Sequence, residues 1–166
     1  MYKRQGQSPK SENYTDNPND YILVQGNADI KDKQVVPRLW TTEVTKMAEI
    51  GDIILTVRAP VGDIGKTDYN VVIGRGVAAI KGNDFIFYTL EKMKMTGFWN
   101  KFSTGSTFES ISSNDIKEAI IQIPTLEEQQ AIGAYFSNLD NLINSYQEKI
   151  SQLETLKKKL LQDMFI

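Results

Sequence analysis

Side chains able to touch a polyanion or a base edge cluster in short, turn-rich stretches of this chain. Arg4, Gln5, Gln7, Ser8 and Lys10 lie near the N-terminus, Arg58 follows an apolar run, and Lys66 and Arg75 stand beside glycines. Lys101, Thr104, Ser106 and Thr107 complete the set. Arginine can hold guanine through two hydrogen bonds, glutamine can hold adenine likewise, and lysine, serine and threonine bond phosphate oxygens. On composition alone, any one of these residues reads more readily as a solvated surface side chain.

Other chemistries drop out. The chain has no histidine and no cysteine, which excludes a His-based serine triad, a thiol nucleophile, a zinc finger, a disulfide and an ordinary transition-metal site. Gly65-Lys66-Thr67 ends like a phosphate-binding loop, but the motif's first glycine would fall on Pro60, which has no amide to donate. The 61–65 stretch reads instead as a turn between strands. Asp20, Asp29-Ile30-Lys31 and Asp115-Ile116-Lys117 hold the raw materials of a magnesium-dependent nuclease. With 24% of residues charged, such triplets also arise by chance.

Bulk charge identifies no partner. Residues 1–124 hold 15 Lys+Arg and 15 Asp+Glu, and residues 125–166 hold 4 and 6, which sum to 19 and 21. Any contact with nucleic acid must therefore be a local patch. No apolar run approaches the ~18 residues of a membrane span, and the Met1-Tyr2-Lys3-Arg4-Gln5 start is unlike a signal peptide, so a cytoplasmic protein is expected.

The elements that must position these residues are legible as an α+β arrangement. A polar opening, Gly6 to Asp20, precedes a strand at Tyr21-Ile22-Leu23-Val24. Further strands are expected at Asp52 to Arg58, Ile64 to Thr67, Val71-Val72-Ile73 and Val77 to Ile80, with Gly74-Arg75-Gly76 forming a bulge or tight turn that projects its arginine. Asp84 to Phe102 changes to helical period, weakened or ended at Gly97; a short helix starts near Ser113, and a last strand runs from Ala119 to Ile123.

Residues 125–166 differ. Pro124, Thr125 and Glu128 spell a helix start with a capping box. Phe136, Leu139, Ile143, Tyr146, Ile150, Leu153, Leu160 and Met164 then follow a 3-4 alternation, broken only where Lys157 takes a seam position. A helix of about 60 Å is implied, at about 1.5 Å per residue. An amphipathic helix folded back on its own domain would need only about four turns, so the seam is expected to pair with a second helix. The domains read as 1–124, a mixed α/β domain, and 125–166, the long helix.

These stretches also carry a resemblance. Ile123-Pro124-Thr125-Leu126-Glu127-Glu128-Gln129-Gln130-Ala131-Ile132-Gly133, Leu139-Asp140 and the closing Leu156-Lys157-Lys158-Lys159-Leu160-Leu161-Gln162-Asp163-Met164-Phe165 resemble a helical region of the specificity subunit of type I restriction-modification systems. Gly6-Gln7-Ser8-Pro9-Lys10-Ser11, Gln25-Gly26-Asn27-Ala28-Asp29-Ile30, 51–63 and Gly74-Arg75-Gly76-Val77-Ala78-Ala79-Ile80 are similar to that family's target recognition domain.

The resemblance implies a non-catalytic, cytoplasmic bacterial or archaeal subunit. Such a subunit binds double-stranded DNA sequence-specifically and delivers it to modification subunits, which methylate adenine, and to a restriction subunit. It holds no cofactor of its own, because S-adenosylmethionine, ATP and magnesium belong to those partners. A full-length relative has two recognition domains joined by two antiparallel helices that space the halves of a split site. One domain and one helix imply a homodimer or a second specificity half, pairing as an antiparallel coiled coil. Relatives begin some way upstream of the Gly6-Gln7-Ser8-Pro9 motif, so a missing opening segment is also implied. By the same likeness Arg58 and Arg75 are expected to support the fold or touch phosphates, leaving base reading to the Gln5–Ser11 and Thr104–Thr107 loops. A protein-binding oligomerisation module and a magnesium-dependent nuclease stay open as alternatives.

Overall fold

The computed structural model describes residues 3–102 and 110–164. In chain order the strands are Lys3–Gln5 (β1), Tyr14–Thr15 (β2), Tyr21–Val24 (β3), Ile30–Lys31 (β4), Gln34–Val35 (β5), Trp40–Thr41 (β6), Met47–Ala48 (β7), Ile53–Thr56 (β8), Ile64–Lys66 (β9), Val71–Ile73 (β10) and Val77–Ile80 (β11). The helices are Asp84–Met95 (α1), Ser113–Glu118 (α2) and Leu126–Met164 (α3). The strands form two sheets, ordered β1-β11-β8-β9-β5-β4 and β2-β6-β3-β10-β7.

β8 and β11 are buried at every position, and this doubles the core. Alternate side chains of a strand leave on opposite faces. Ile53, Leu55, Ala78 and Ile80 therefore meet Ile86, Phe87, Leu90 and Met93 of α1, while Ile54, Val77 and Ala79 meet Val24, Val71 and Ile73 of the second sheet. The molecule is layered as helix, sheet, sheet. The strands expected between Tyr21 and Ile80 are all present. The two-residue strands β2, β4, β5, β6 and β7 were not expected, because so short a run shows no alternation.

The helical stretch from Asp84 ends at Met95, as expected from Gly97, which takes a positive φ of 67° and turns the chain into a 3-10 segment at Phe98–Phe102. One expectation needs correction. Ala119 to Ile123 is not a strand. Ala119 and Ile121 pack on the apolar cluster under α1, while Ile120 is left 90% exposed, so this run finds apolar partners without a ladder.

α3 begins as its capping residues dictate. The Thr125 amide donates to Glu128 Oε2 at 3.0 Å and the Glu128 amide to Thr125 Oγ1 at 3.4 Å. Its first turns lie on α1. Asn83 Nδ2 donates to Gln129 Oε1 at 2.9 Å, and Gly133 is buried against Asp84, where a Cβ would come within 2.7 Å of the Asp84 Cβ. Phe136 and Tyr88 stack with ring centroids 5.3 Å apart. Past Asp140 every described side chain to Met164 is exposed. The helix thus docks on its own domain for about four turns and then projects for about 36 Å. Of the seam residues, Phe136 and Leu139 lie in the docked part, and Ile143, Tyr146, Ile150, Leu153, Leu160 and Met164 are 52–73% exposed on the free part. Among the described residues, no helix is long and apolar enough to cross a membrane.

Candidate nucleic-acid interface

The strand directions bring several of the polar motifs to one end of the sandwich. β1 runs antiparallel to β11, with Gln5 opposite Ala78; β8 runs antiparallel to β11, with Thr56 opposite Val77; β3 and β10 are parallel, with Val24 beside Ile73. The C-terminal ends of β1, β3, β8 and β10 and the start of β11 therefore meet. The segments leaving these ends are Gly6-Gln7-Ser8, Gln25-Gly26, Val57-Arg58 and Gly74-Arg75-Gly76.

Backbone hydrogen bonds weld these segments together. The Gly6 amide donates to Val77 O at 3.0 Å, the Gln7 amide to Ile73 O at 2.8 Å, the Gly74 amide to Val24 O at 2.8 Å and the Val57 amide to Gly76 O at 2.8 Å. The Val77 amide closes the Arg75 turn on Gly74 O at 3.2 Å, and the Arg75 amide donates to Ser8 Oγ at 3.0 Å. The crossing is too close for side chains: a Cβ on Gly6 would lie 2.1 Å from Gly74 O, and one on Gly76 would lie 2.0 Å from Gln25 O. Glycine is needed because backbone meets backbone here.

The result is a rigid platform with outward side chains. Gln5, Gln7, Lys10, Arg58 and Arg75 are exposed, whereas the Ser8 hydroxyl is engaged with the Arg75 turn. Glu43 anchors the loop from below, accepting from the Lys10 amide at 2.8 Å and Asn13 Nδ2 at 2.7 Å. The Lys10 bond, then the Asn13 bond, hold its carboxyl below the usual glutamate range. Arg58 bridges to Ser110, where the described chain resumes, and the Ile111 amide donates to Val57 O at 2.9 Å. Thr104, Ser106 and Thr107 lie outside the described residues. Lys101, exposed, holds its ammonium 3.9 Å from the Phe98 ring centroid and 4.8 Å from that of Phe102.

Two cationic candidates sit elsewhere. Arg4 is half-buried and its Nη1 donates to Met47 O at 3.0 Å, tying the edge of one sheet to the other. Lys66 pairs with Asp84 at the start of α1, its ammonium 5.3 Å from the Phe87 ring centroid. Beside the platform is a cleft of about 520 Å³ lined by Gln25, Asn27 and Arg38 among others. Arg38 Nη1 donates to Ala28 O at 2.8 Å and lies 3.8 Å from Asp29. Five of the lining residues belong to the Gln25-Gly26-Asn27-Ala28-Asp29 stretch, whereas the signal for Arg38 is one more arginine beside a proline.

Asp20 Oδ2 accepts from Thr15 Oγ1 at 2.7 Å, and the other two acids of the magnesium alternative serve the backbone. Asp29 Oδ2 accepts from the Gln25 amide at 2.8 Å and the Gly26 amide at 3.2 Å, and Asp115 completes the capping box of α2 with Ser112. Among the described residues, no group of three acidic side chains could hold a metal ion.

The chain is similar to known proteins. A family model described as type I restriction modification DNA specificity domain matches residues 2–155. A Methanocaldococcus jannaschii protein described as a type I restriction enzyme MjaX specificity subunit is 34% identical over 162 residues, or 94% of this chain and 38% of that protein. A solved chain from a study of complex assembly and conformational transition of the type I R-M system superposes with a TM-score of 0.80 at 30% identity, over 95% of this chain and 40% of that one. The HsdS subunit from Thermoanaerobacter tengcongensis gives 0.73 at 29% identity, over 89% and 37%. The chain spans about two fifths of the length of the relatives it matches.

Proposed function

The chain belongs to the type I restriction modification DNA specificity domain family, and on that footing we propose that it reads one half of a bipartite double-stranded DNA site. It hands the site to modification subunits and a restriction subunit, which carry the S-adenosylmethionine, ATP and magnesium, and it performs no catalysis itself. The observation that carries this reading is the welded platform, from which Gln7, Arg58 and Arg75 point into solvent. Arg58 and Arg75 contact phosphates, giving affinity without sequence choice, while Gln7, Thr104 and Thr107 read bases.

The free part of α3 is the spacer and the joint. Exposed apolar side chains along about 36 Å of helix call for a partner, and a second copy or a second specificity half supplies it. The seam is symmetric about residue 148, so an antiparallel copy sets Phe136 against Leu160, Ile143 against Leu153 and Tyr146 against Ile150. Lys157 then meets Leu139 and must snorkel. Such a two-fold dimer reads an inverted repeat with an undefined middle.

Adenine methylation mapped in cells holding this chain, its modification subunit and no other specificity subunit tests the proposal. A split palindromic motif is expected. In binding titrations Gln7→Ala should cost about 1–3 kcal/mol on the cognate site alone, while Arg75→Ala should weaken all DNA about equally and lower the salt slope by about 1. Equal losses on every sequence for both variants would refute the assignment of base reading to Gln7.

A further inference from the structure

The turn joining β4 to β5 is Asp32-Lys33, and these are the non-glycine residues with positive φ among those described, at 50° and 64°. Two consecutive left-handed residues make the tight hairpin turn that ordinarily selects Asn-Gly. A lysine held there against its conformational preference invites the question of what its ammonium does. It lies 2.8 Å from Glu91 of α1 and 2.9 and 2.8 Å from the two carboxylate oxygens of Asp140 of α3. The Tyr88 hydroxyl donates to the same carboxylate at 2.8 Å. Hairpin, α1 and α3 thus close on one cation.

Its place matters more than its strength. Asp140 is the last residue of α3 that the domain partly covers, and everything after it is exposed. The earlier contacts at Gly133 and Phe136 go to α1, and that at Gln129 to Asn83, the N-cap of α1. Contacts strung along one helix leave a second helix able to swing about that line. Lys33 reaches in from the sheet edge, off the line, and stops the swing.

We propose that Lys33 is a positioning residue: through Asp140 it sets the angle at which the spacer helix leaves the domain, and so the number of base pairs between the two half-sites. The inference rests on the recognition reading above. A swing of about 10° on a lever of about 20 Å, the scale of a domain this size, moves the platform by about 3.5 Å. That is one base-pair step of about 3.4 Å.

Two measurements test it. The absence of cysteine allows spin labels at Glu12→Cys and Gln152→Cys, and the label-to-label distance within one chain reports the angle without reference to DNA, with labelled chains diluted into unlabelled ones. Lys33→Met should broaden that distribution, and the swap Lys33→Glu with Asp140→Lys should narrow it again; an unchanged distribution in folded Lys33→Met overturns the proposal. In methylation maps Lys33→Met should keep both half-site sequences while spreading the undefined middle over adjacent lengths. Retention of one spacing, or uniform loss of methylation at every spacing, would also overturn it. A wild-type map without any split motif would defeat the recognition reading, whereas the label distances would still judge the lock.

Discussion

Gly133 is the buried residue of α3 among those described, and adding one methyl there sets helix propensity against close packing. In Gly133→Ala the new carbon would lie 2.7 Å from the Asp84 Cβ and 3.1 Å from the Phe85 amide nitrogen. Carbon atoms pack at about 3.5–4.0 Å, so α3 must retreat by about 1 Å at this point. Alanine favours the helix over glycine by about 1 kcal/mol. Overpacking costs about 1–3 kcal/mol, and the retreat also strains contacts further along the helix. The Phe136–Tyr88 ring pair is worth about 0.5–1.5 kcal/mol. The 2.8 Å bond from Tyr88 to Asp140 is worth about as much and would stretch out of range. The Lys33 pairs are about a third exposed and add little once screened.

The sum is a net loss of about 1–5 kcal/mol, a fall in Tm of roughly 2–20 °C for a chain of this size. Thermal unfolding followed by circular dichroism over a dilution series separates this loss from any change in self-association. Asp84→Gly removes the opposing Cβ but leaves the Phe85 amide nitrogen 3.1 Å away, so in that background Gly133→Ala should cost less than it does alone. If Gly133→Ala alone raises Tm, helix propensity has won and the close approach of α3 to α1 is wrong.

Three further outcomes are expected. With no native cysteine, Phe136→Cys combined with Leu160→Cys should oxidise to a covalent dimer, while Phe136→Cys alone should not; the reverse pattern would indicate a parallel pair or another register. Burial and then the bond to Asp140 raise the Tyr88 pKa above its ordinary 10.0; for Lys33 burial acts to lower the pKa, but the bonds to Asp140 and Glu91 outweigh it and leave it above 10.5. Both groups hold their protons more tightly folded than unfolded, so their stabilisation is complete below pH 10.0 and is lost as pH rises beyond it. Urea midpoints should therefore fall on the alkaline side, and Tyr88→Phe should flatten that fall; an identical alkaline slope in the variant would count against it. Ser8→Ala removes the acceptor for the Arg75 amide and should weaken DNA binding with the salt slope unchanged, because no charge is lost. A changed slope would mean that Ser8 acts through the phosphate contacts themselves.

Much of this protein is written in short-range signals. The start of α3 follows from Pro124, Thr125 and Glu128, the end of α1 from Gly97, and β8, β10 and β11 from their apolar runs, because capping, backbone preference and side-chain alternation act within a turn or a strand. The lack of histidine and cysteine likewise removed whole chemistries before any fold was known. Tertiary packing decided the rest. It turned Arg4 and Lys66 to tying elements together while leaving Arg58 and Arg75 facing solvent, though all four are equally polar as letters. It left Ala119 to Ile123 without a ladder and docked only the first turns of α3. It also joined Ser8 to Arg75 across 67 residues and Lys33 to Asp140 across 107. No local propensity spans such separations; they are settled by which strand ends meet and which helix lies on which, and the platform and the helix lock exist only once the sheets have closed.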